Sequence, residues 1–230
     1  MSKSTFSTLS AADFTLASAS SIRVKLLENA GFEFHQYPVS IDEAALSAAS
    51  IAENIPAQDI AVMLAEVKAT VAVQRLDAEQ LVPPTFVLGC DQILVCDEII
   101  YSKPKDIVTA KSQLSTLSGK THQLFTAAVL VKHGKRIWHH LLAANMTMRQ
   151  FDEEFIDRYL EQLGEAAFCS PASYQIESIG VQLFAKMSGC HYGILGIPLL
   201  ELMAILREHG LSPVDKKSQN KSEYKVGYGL

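Results

Sequence analysis

The sequence predicts a mixed α/β fold, and three observations carry that prediction. Short β-type runs rich in Val, Ile and Phe alternate with stretches in which apolar residues recur at helical spacing. Two long β-type runs, 121–131 and 136–149, flank a His133-Gly134-Lys135 tip, so part of the sheet must be antiparallel. Hydrophobic residues make up 48% of the 230, ample to close a buried core.

The elements follow in chain order. FTLAS (14–18) reads as a strand that runs into Ser18, Ser20 and Ser21, and Ile22, Leu26, Leu27 and Ala30 then keep helical spacing up to Gly31. FEFHQYPV (32–39) reads as a second strand, and Asp42 can cap a helix with Glu43 in its first turn. Ile60, Leu64, Val67 and Val71 mark one face of a longer helix that holds Lys68. FVLGC (86–90) and ILVCD (93–97) are β-type runs around Asp91, followed by a turn and short strand before Pro104 and a helix at about 106–117. The long hairpin comes next. Amphipathic helices at 151–164 and 198–210 then enclose a strand read at 174–184.

Bulk properties narrow the function. A formal charge of −5 and a pI near 5.8 argue against a surface built for a nucleic-acid polymer, whereas a small phosphorylated ligand needs only a local cluster of cations. Cys90, Cys96, Cys169 and Cys190 form no C-x-x-C pair, so buried reduced thiols are expected. The first residues, MSKSTFSTLSAADF, have no apolar run of signal-peptide length, and ILGIPLLELMAIL is broken by Pro198 and Glu201. The expectation is therefore a cytoplasmic protein with no membrane span. Residues 1–13 are read as a flexible tail, 14–211 as a single domain without repeats, and 212–230 as a polar tail.

The residues that carry chemistry stand at the ends of elements. Cutting a triphosphate means dispersing negative charge and delivering a deprotonated water in line with the leaving group, which calls for cations, a carboxylate and a base. The Ser18-Ala19-Ser20-Ser21 turn can offer backbone N–H groups and hydroxyls to phosphate oxygens at a helix start, or serve as an ordinary cap. Arg23 can fork onto a phosphate or lie in solvent, and Lys68 and Lys103 face the same choice between ligand and surface cation. Asp91, after an apolar strand, can hold a metal or a water, or satisfy a turn; Glu43 can join it as a metal ligand or complement a helix dipole. His122, His139 and His140 read as structural, and Met146, Met148, Met187 and Met203 as core filling.

Taken together, these fragments resemble the Maf family of nucleotide pyrophosphatases from about residue 14 to 210. The family's phosphate-binding turn, L-A-S-x-S-P-R-R-x-x-L-L, corresponds to Leu16 through Leu27. Asp42-Glu43, Lys68-Ala69, Gly89-Cys90-Asp91, Lys103-Pro104, Leu117 to His122, Ile179-Gly180, Gly189 and Gly196-Ile197-Pro198-Leu199 follow in the family's order. The resemblance implies an elongated, two-lobed α/β fold of the Maf and ITPase type around a mixed central sheet with a cleft. It also implies a homodimer and a small-molecule nucleotide substrate cleaved to monophosphate and pyrophosphate. Asp91 would be the proton acceptor, Ser18, Ser20, Arg23, Lys68 and Lys103 would bind phosphates, and Glu43 with Asp91 would engage a divalent cation, Mg²⁺ or Mn²⁺.

Departures from the pattern bear on the base. Ser21 replaces the family's proline and Ile22 its first arginine; Gln92 and Glu177 match the branch that acts on 7-methyl-GTP, where pyrimidine-preferring members have threonine and glutamine. A carboxylate at Glu177 can meet the two adjacent donors of guanine, N1–H and the exocyclic amine, whereas glutamine suits the mixed edge of uracil or thymine. That branch has an aromatic residue where this chain has Ile22, which offers no π-face to a cationic methylated purine. Two other functions stay open at this point: a pyrophosphatase for dTTP or UTP, and a nucleotide-binding regulatory protein of septum formation with little turnover.

Overall fold

The computed structural model describes residues 14–79, 85–211 and 213, so the expected tail 1–13 and nearly all of 212–230 lie outside the described residues. A seven-stranded mixed sheet forms the centre, with β2 (His35–Gln36), β1 (Phe14–Ala17), β3 (Phe86–Cys96), β5 (Thr121–Lys132), β6 (Lys135–Met148) and β7 (Phe184–Ser188) side by side in that order and β4 (Ile99–Tyr101) also paired to β3. β1 runs parallel to both β2 and β3, and the remaining pairings are antiparallel. The hairpin of β5 and β6 turns at His133 and Gly134, whose φ values of 47° and 74° are what a two-residue hairpin tip with matching twist requires.

The helices begin where short polar side chains say they should. Ser20, Asp42, Asp106 and Asp152 accept backbone N–H bonds at the starts of α1 (Ser21–Asn29), α2 (Glu43–Ala52), α4 (Ile107–Leu117) and α5 (Glu153–Leu163). α3 (Ala57–Ala78) packs on one face of the sheet, while α6 (His191–Ile194) and α7 (Leu199–Glu208) belong to the other. Along β3 the side chains alternate. Phe86, Leu88 and Cys90 enter one apolar cluster with Leu27, Leu202 and Leu206; Val87 and Ile93 enter another with α3. Further along the first face, Leu94 and Cys96 join a third cluster with α4 and α5, so two cores share that face at opposite ends of the long strands. This gives physical content to the two-lobed expectation.

Several expectations are corrected. The strand read at 32–39 shrinks to His35–Gln36, because Phe32 and Phe34 turn inward to pack on Phe14, with ring centroids at 6.0 and 6.5 Å. The two β runs around Asp91 form one uninterrupted strand. The strand read at 174–184 is a series of turns and a 3₁₀ segment (Ile179–Leu183); β7 occupies Phe184–Ser188. The cause is a turn at 176–178, closed by the Ser178 N–H on the Gln175 carbonyl at 3.1 Å, which brings Gly180 back so close that a Cβ there would lie 2.5 Å from that oxygen. The buried stripe of α3 runs through Ile60, Leu64, Ala65, Lys68, Ala69, Ala72 and Leu76, with Val67 and Val71 only half-buried. Met146 and Met148 fill the core, but Met187 is 39% exposed. Cys90 and Cys96 are buried thiols, whereas Cys169 is exposed and Cys190 half-buried. Among the described residues no helix is long and apolar enough to cross a membrane.

Candidate active site

The site begins at Gly89. A side chain there would bring a Cβ to 2.0 Å from the Ala65 carbonyl oxygen and 2.9 Å from the Ala69 nitrogen, so its absence lets α3 settle directly onto β3. One α3 turn along, Lys68 comes down beside Asp91, two residues after Gly89 and on the same sheet face. Lys68 Nζ lies 2.5 Å from Asp91 Oδ1 and 2.8 Å from Glu43 Oε1. Asp91 is 5% exposed and Lys68 9%, so this is a buried charge pair with one half-exposed third member on α2. Removing one partner of such a pair strands the other charge away from water, a loss of about 3–5 kcal/mol.

The two carboxylates are held in opposite electrostatic states. Burial raises the Asp91 pKa, a rise that Lys68 and Arg23 oppose and Glu43 reinforces, so the net direction is up. At Glu43 burial also pushes upward, but Lys68, then Lys103 and Arg23, outweigh it and hold its carboxyl below the usual range. Those same influences locate the cations: Lys103, though exposed, and Arg23 are close enough to Glu43 for their charges to be felt there.

Arg23 is built into the wall. β1 ends at Ala17, paired with Gly89, and this register sets the Ser18 turn beside Cys90. From the first turn of α1, Arg23 Nε donates to the Gly196 carbonyl at 2.7 Å, while Nη1 donates to the Cys90 carbonyl at 3.0 Å and Ser18 Oγ at 3.2 Å. Gly196 has φ +105°, and a Cβ there would meet Arg23 Nε at 3.2 Å. Ser18 is buried and also accepts the Ser20 N–H at 3.3 Å, while Ser20 Oγ accepts from the Arg23 N–H at 3.5 Å. Gln36 closes the turn by donating to the Ser18 carbonyl at 3.0 Å.

The structure thus gathers Ser18, Ser20, Arg23, Glu43, Lys68, Asp91 and Lys103 at one end of β1 and the middle of β3. The three residues read as base-selecting are not part of that knot. Ile22 is half-buried against the α1–α7 core, Glu177 is exposed in a turn, and Gln92 points to the face opposite Asp91. There the Gln92 amide nitrogen donates to Thr126 Oγ1 at 2.8 Å and reaches the Gly193 and Ile194 carbonyls at 3.1 and 3.2 Å. Sequence reasoning missed Gln36, Thr126 and the carbonyl clamp on Arg23, since carbonyl partners carry no side-chain signal; the Gly196-Ile197-Pro198-Leu199 run was a hint that the chain turns there. Asp91 and Glu43 converge on the Lys68 ammonium, and both are oxygen donors of the kind that a hard divalent cation takes up together with ligand oxygens and water. No group of three or more His, Cys, Asp or Glu residues that could hold a metal occurs among the described residues.

Known proteins are similar to this chain over most of its length. The family model described as Maf-like protein matches residues 13–209. The chain is 44% identical over 195 residues to a nucleoside triphosphate pyrophosphatase of Paramagnetospirillum magneticum, an alignment covering 85% of this chain and 97% of that one. It is equally 44% identical, over 192 residues, to a 7-methyl-GTP pyrophosphatase of Brucella abortus, covering 84% and 94% of the two chains. A 7-methyl-GTP pyrophosphatase of Mesorhizobium japonicum is 44% identical over 195 residues, 85% of this chain and 95% of its own.

Proposed function

The chain belongs to the Maf-like family, and from that premise we propose that it hydrolyses nucleoside triphosphates to monophosphate and pyrophosphate, with Asp91 as the base. The observation that carries the reading is the buried Asp91 carboxylate held beside Lys68 at 2.5 Å in a surround of further cations. A carboxylate with a raised proton affinity is suited to taking a proton from water, since only the ionised form accepts one and the acid formed must not be too strong.

In this reading the triphosphate lies across the N-terminal turn of α1. Ser18 and Ser20 with the adjoining backbone N–H groups, together with Arg23, Lys68 and Lys103, meet the phosphate oxygens and disperse the charge that builds as the bond breaks. Asp91 takes a proton from a water whose oxygen attacks the innermost phosphorus, and the bond to pyrophosphate breaks as the new P–O bond forms. Glu43 and Asp91 are the residues to hold a divalent cation, Mg²⁺ or Mn²⁺, which when bound supplies further charge neutralisation at the phosphates. Glu177 is assigned to guanine, on the complementarity of its two acceptors to two adjacent donors. The 7-methyl-GTP activity named for two of the relatives supports a guanine-type substrate. A homodimer acting in the cytoplasm completes the proposal.

The test is a panel of triphosphates with Mg²⁺ or Mn²⁺, read for pyrophosphate against inorganic phosphate. Pyrophosphate release is expected, with Asp91→Asn abolishing turnover by more than about 100-fold while nucleotide affinity persists. Full activity in Asp91→Asn, or nucleotide binding by the unmodified chain without any product, overturns the assignment; the latter result describes a regulatory binding protein. In the same panel Glu177→Gln should lower activity on GTP or 7-methyl-GTP relative to UTP, and an unchanged ratio removes the base-reading role.

A further inference from the structure

Thr126 lies on β5, paired in register with Gln92, and is 1% exposed. Its hydroxyl sits in the middle of a polar chain between the two apolar cores of that sheet face. It accepts from the Gln92 amide at 2.8 Å and donates to the Gly193 carbonyl at 2.8 Å. The same carbonyl accepts the Gly196 N–H at 2.9 Å, and the Gly196 carbonyl in turn accepts from Arg23 Nε at 2.7 Å. Gly193 packs closely on β6, where a Cβ would come within 2.8 Å of the Leu142 side chain, and a Cβ at Gly196 would lie 3.2 Å from Arg23 Nε.

We infer that Thr126 is a positioning residue for the reaction proposed above: through the Gly193 carbonyl its hydroxyl sets the α6–Gly196 turn, and the Gly196 carbonyl aims the Arg23 guanidinium at the phosphates. The inference rests on the proposed reaction for the identity of the ligand; the mechanical link stands on the hydrogen bonds. Arg23 spends Nε and Nη1 on carbonyls and Ser18, and Nη2 has no partner among the described residues, so the guanidinium is a fixed fork with one free end. A fixed fork delivers its donors without first losing rotamer freedom, and that advantage depends on the carbonyls keeping their places. Gln92 shares the anchoring of α6, but Thr126 donates from the central hairpin to Gly193 while facing no solvent, which makes it the cleaner probe.

Thr126→Val keeps the shape and removes the hydroxyl; Thr126→Ser keeps the hydroxyl. The readouts are steady-state pyrophosphate release and calorimetric binding of inorganic tripolyphosphate, each repeated in an Arg23→Ala background. Thr126→Val should lower kcat/KM about fivefold, with kcat reduced as well as KM raised, and weaken tripolyphosphate by no more than that factor, equivalent to about 1 kcal/mol. Thr126→Ser should restore both. In the Arg23→Ala background Thr126→Val should cost nothing further, because the element it positions is gone. A loss of the same size in that background, or a serine variant no better than valine, overturns the inference. Should Thr126→Val fail to fold, Thr126→Cys, with a weaker donor of similar reach, carries the same comparison. A parent chain that binds tripolyphosphate but releases no pyrophosphate refutes the proposed reaction, and the binding cycle then still decides the role of Thr126.

Discussion

His122 is a histidine that the fold keeps neutral. Its Nε2 and the Tyr174 hydroxyl lie 2.9 Å apart, its ring lies 6.0 Å from that of Phe184, and its Nδ1 has no partner among the described residues. With 1% exposure the ring is cut off from water, and burial pulls its pKa down to about 4. An unfolded chain binds a proton at this residue below about pH 6.5, while the folded chain refuses it until about pH 4, so unfolding takes up a proton across that window. Stability attributable to His122 is therefore full above pH 6.5 and falls as the pH drops toward 4. Between pH 7 and pH 5 the loss should be about 2 kcal/mol. Urea midpoints of the parent and a His122→Phe variant at both pH values check this; equal pH slopes in the two proteins would show that the histidine charges freely in the folded state. The sequence marked His122 as structural, on its lack of acidic partners at metal spacing, and the buried tyrosine contact is why that reading holds.

Among the elements, α3 on β3 has the most consequence for the site, and its seam is made of small residues. Gly89→Ala would force a Cβ into the Ala65 carbonyl oxygen, 2.0 Å away, and backbone on both sides leaves only one relief, which is to lift α3. Overpacking of this kind costs about 1–3 kcal/mol, and here the displacement also moves Lys68 from Asp91. The expected outcome is a lower urea midpoint together with a loss of pyrophosphate release larger than any loss seen in a variant of equal stability remote from the site. Parent-like activity would mean that Lys68 and Asp91 do not depend on the seam. The same seam explains what could be read beforehand. Helix starts were legible because a cap is a local event within four residues, as at Asp42, Asp106 and Asp152. Lys68 was not legible as a buried cation, because what buries it is a glycine and two alanines that leave no strong apolar pattern. Residues 174–184 alternate like a strand, yet the turn at 176–178 brings Gly180 against the Gln175 backbone, which periodicity cannot register. The site residues were recognisable as a set through the order of short motifs, each too weak to stand alone, while the Arg23 clamp depends on carbonyls that any sequence could supply.

At the scale of the whole molecule, the question is whether the two cores on one sheet face unfold together. β3 pairs with β5 from Phe86 through Val95, crossing from the α1–α7 core to the α4–α5 core without a break, and β6 follows β5 across the same span. An interruption at the midpoint would have allowed each lobe its own transition; instead the midpoint is tied by the Gln92–Thr126–Gly193 bonds. Cooperative unfolding follows, since neither end can lose its strands without breaking ladders that the other end needs. The chain provides its own reporter, a single tryptophan, Trp138, half-buried against the α1–α7 core and stacked on His140 at 6.0 Å. Leu160, 2% exposed on α5, lies in the opposite core, and truncating it to alanine should cost about 2–5 kcal/mol. In one cooperative unit that loss lowers the urea midpoint seen by Trp138 fluorescence as much as the midpoint seen by far-ultraviolet circular dichroism. A Leu160→Ala protein whose fluorescence transition stays in place while the dichroism splits into two steps would show that the lobes are independent, and the continuous strands would then have to be hinged at Gln92.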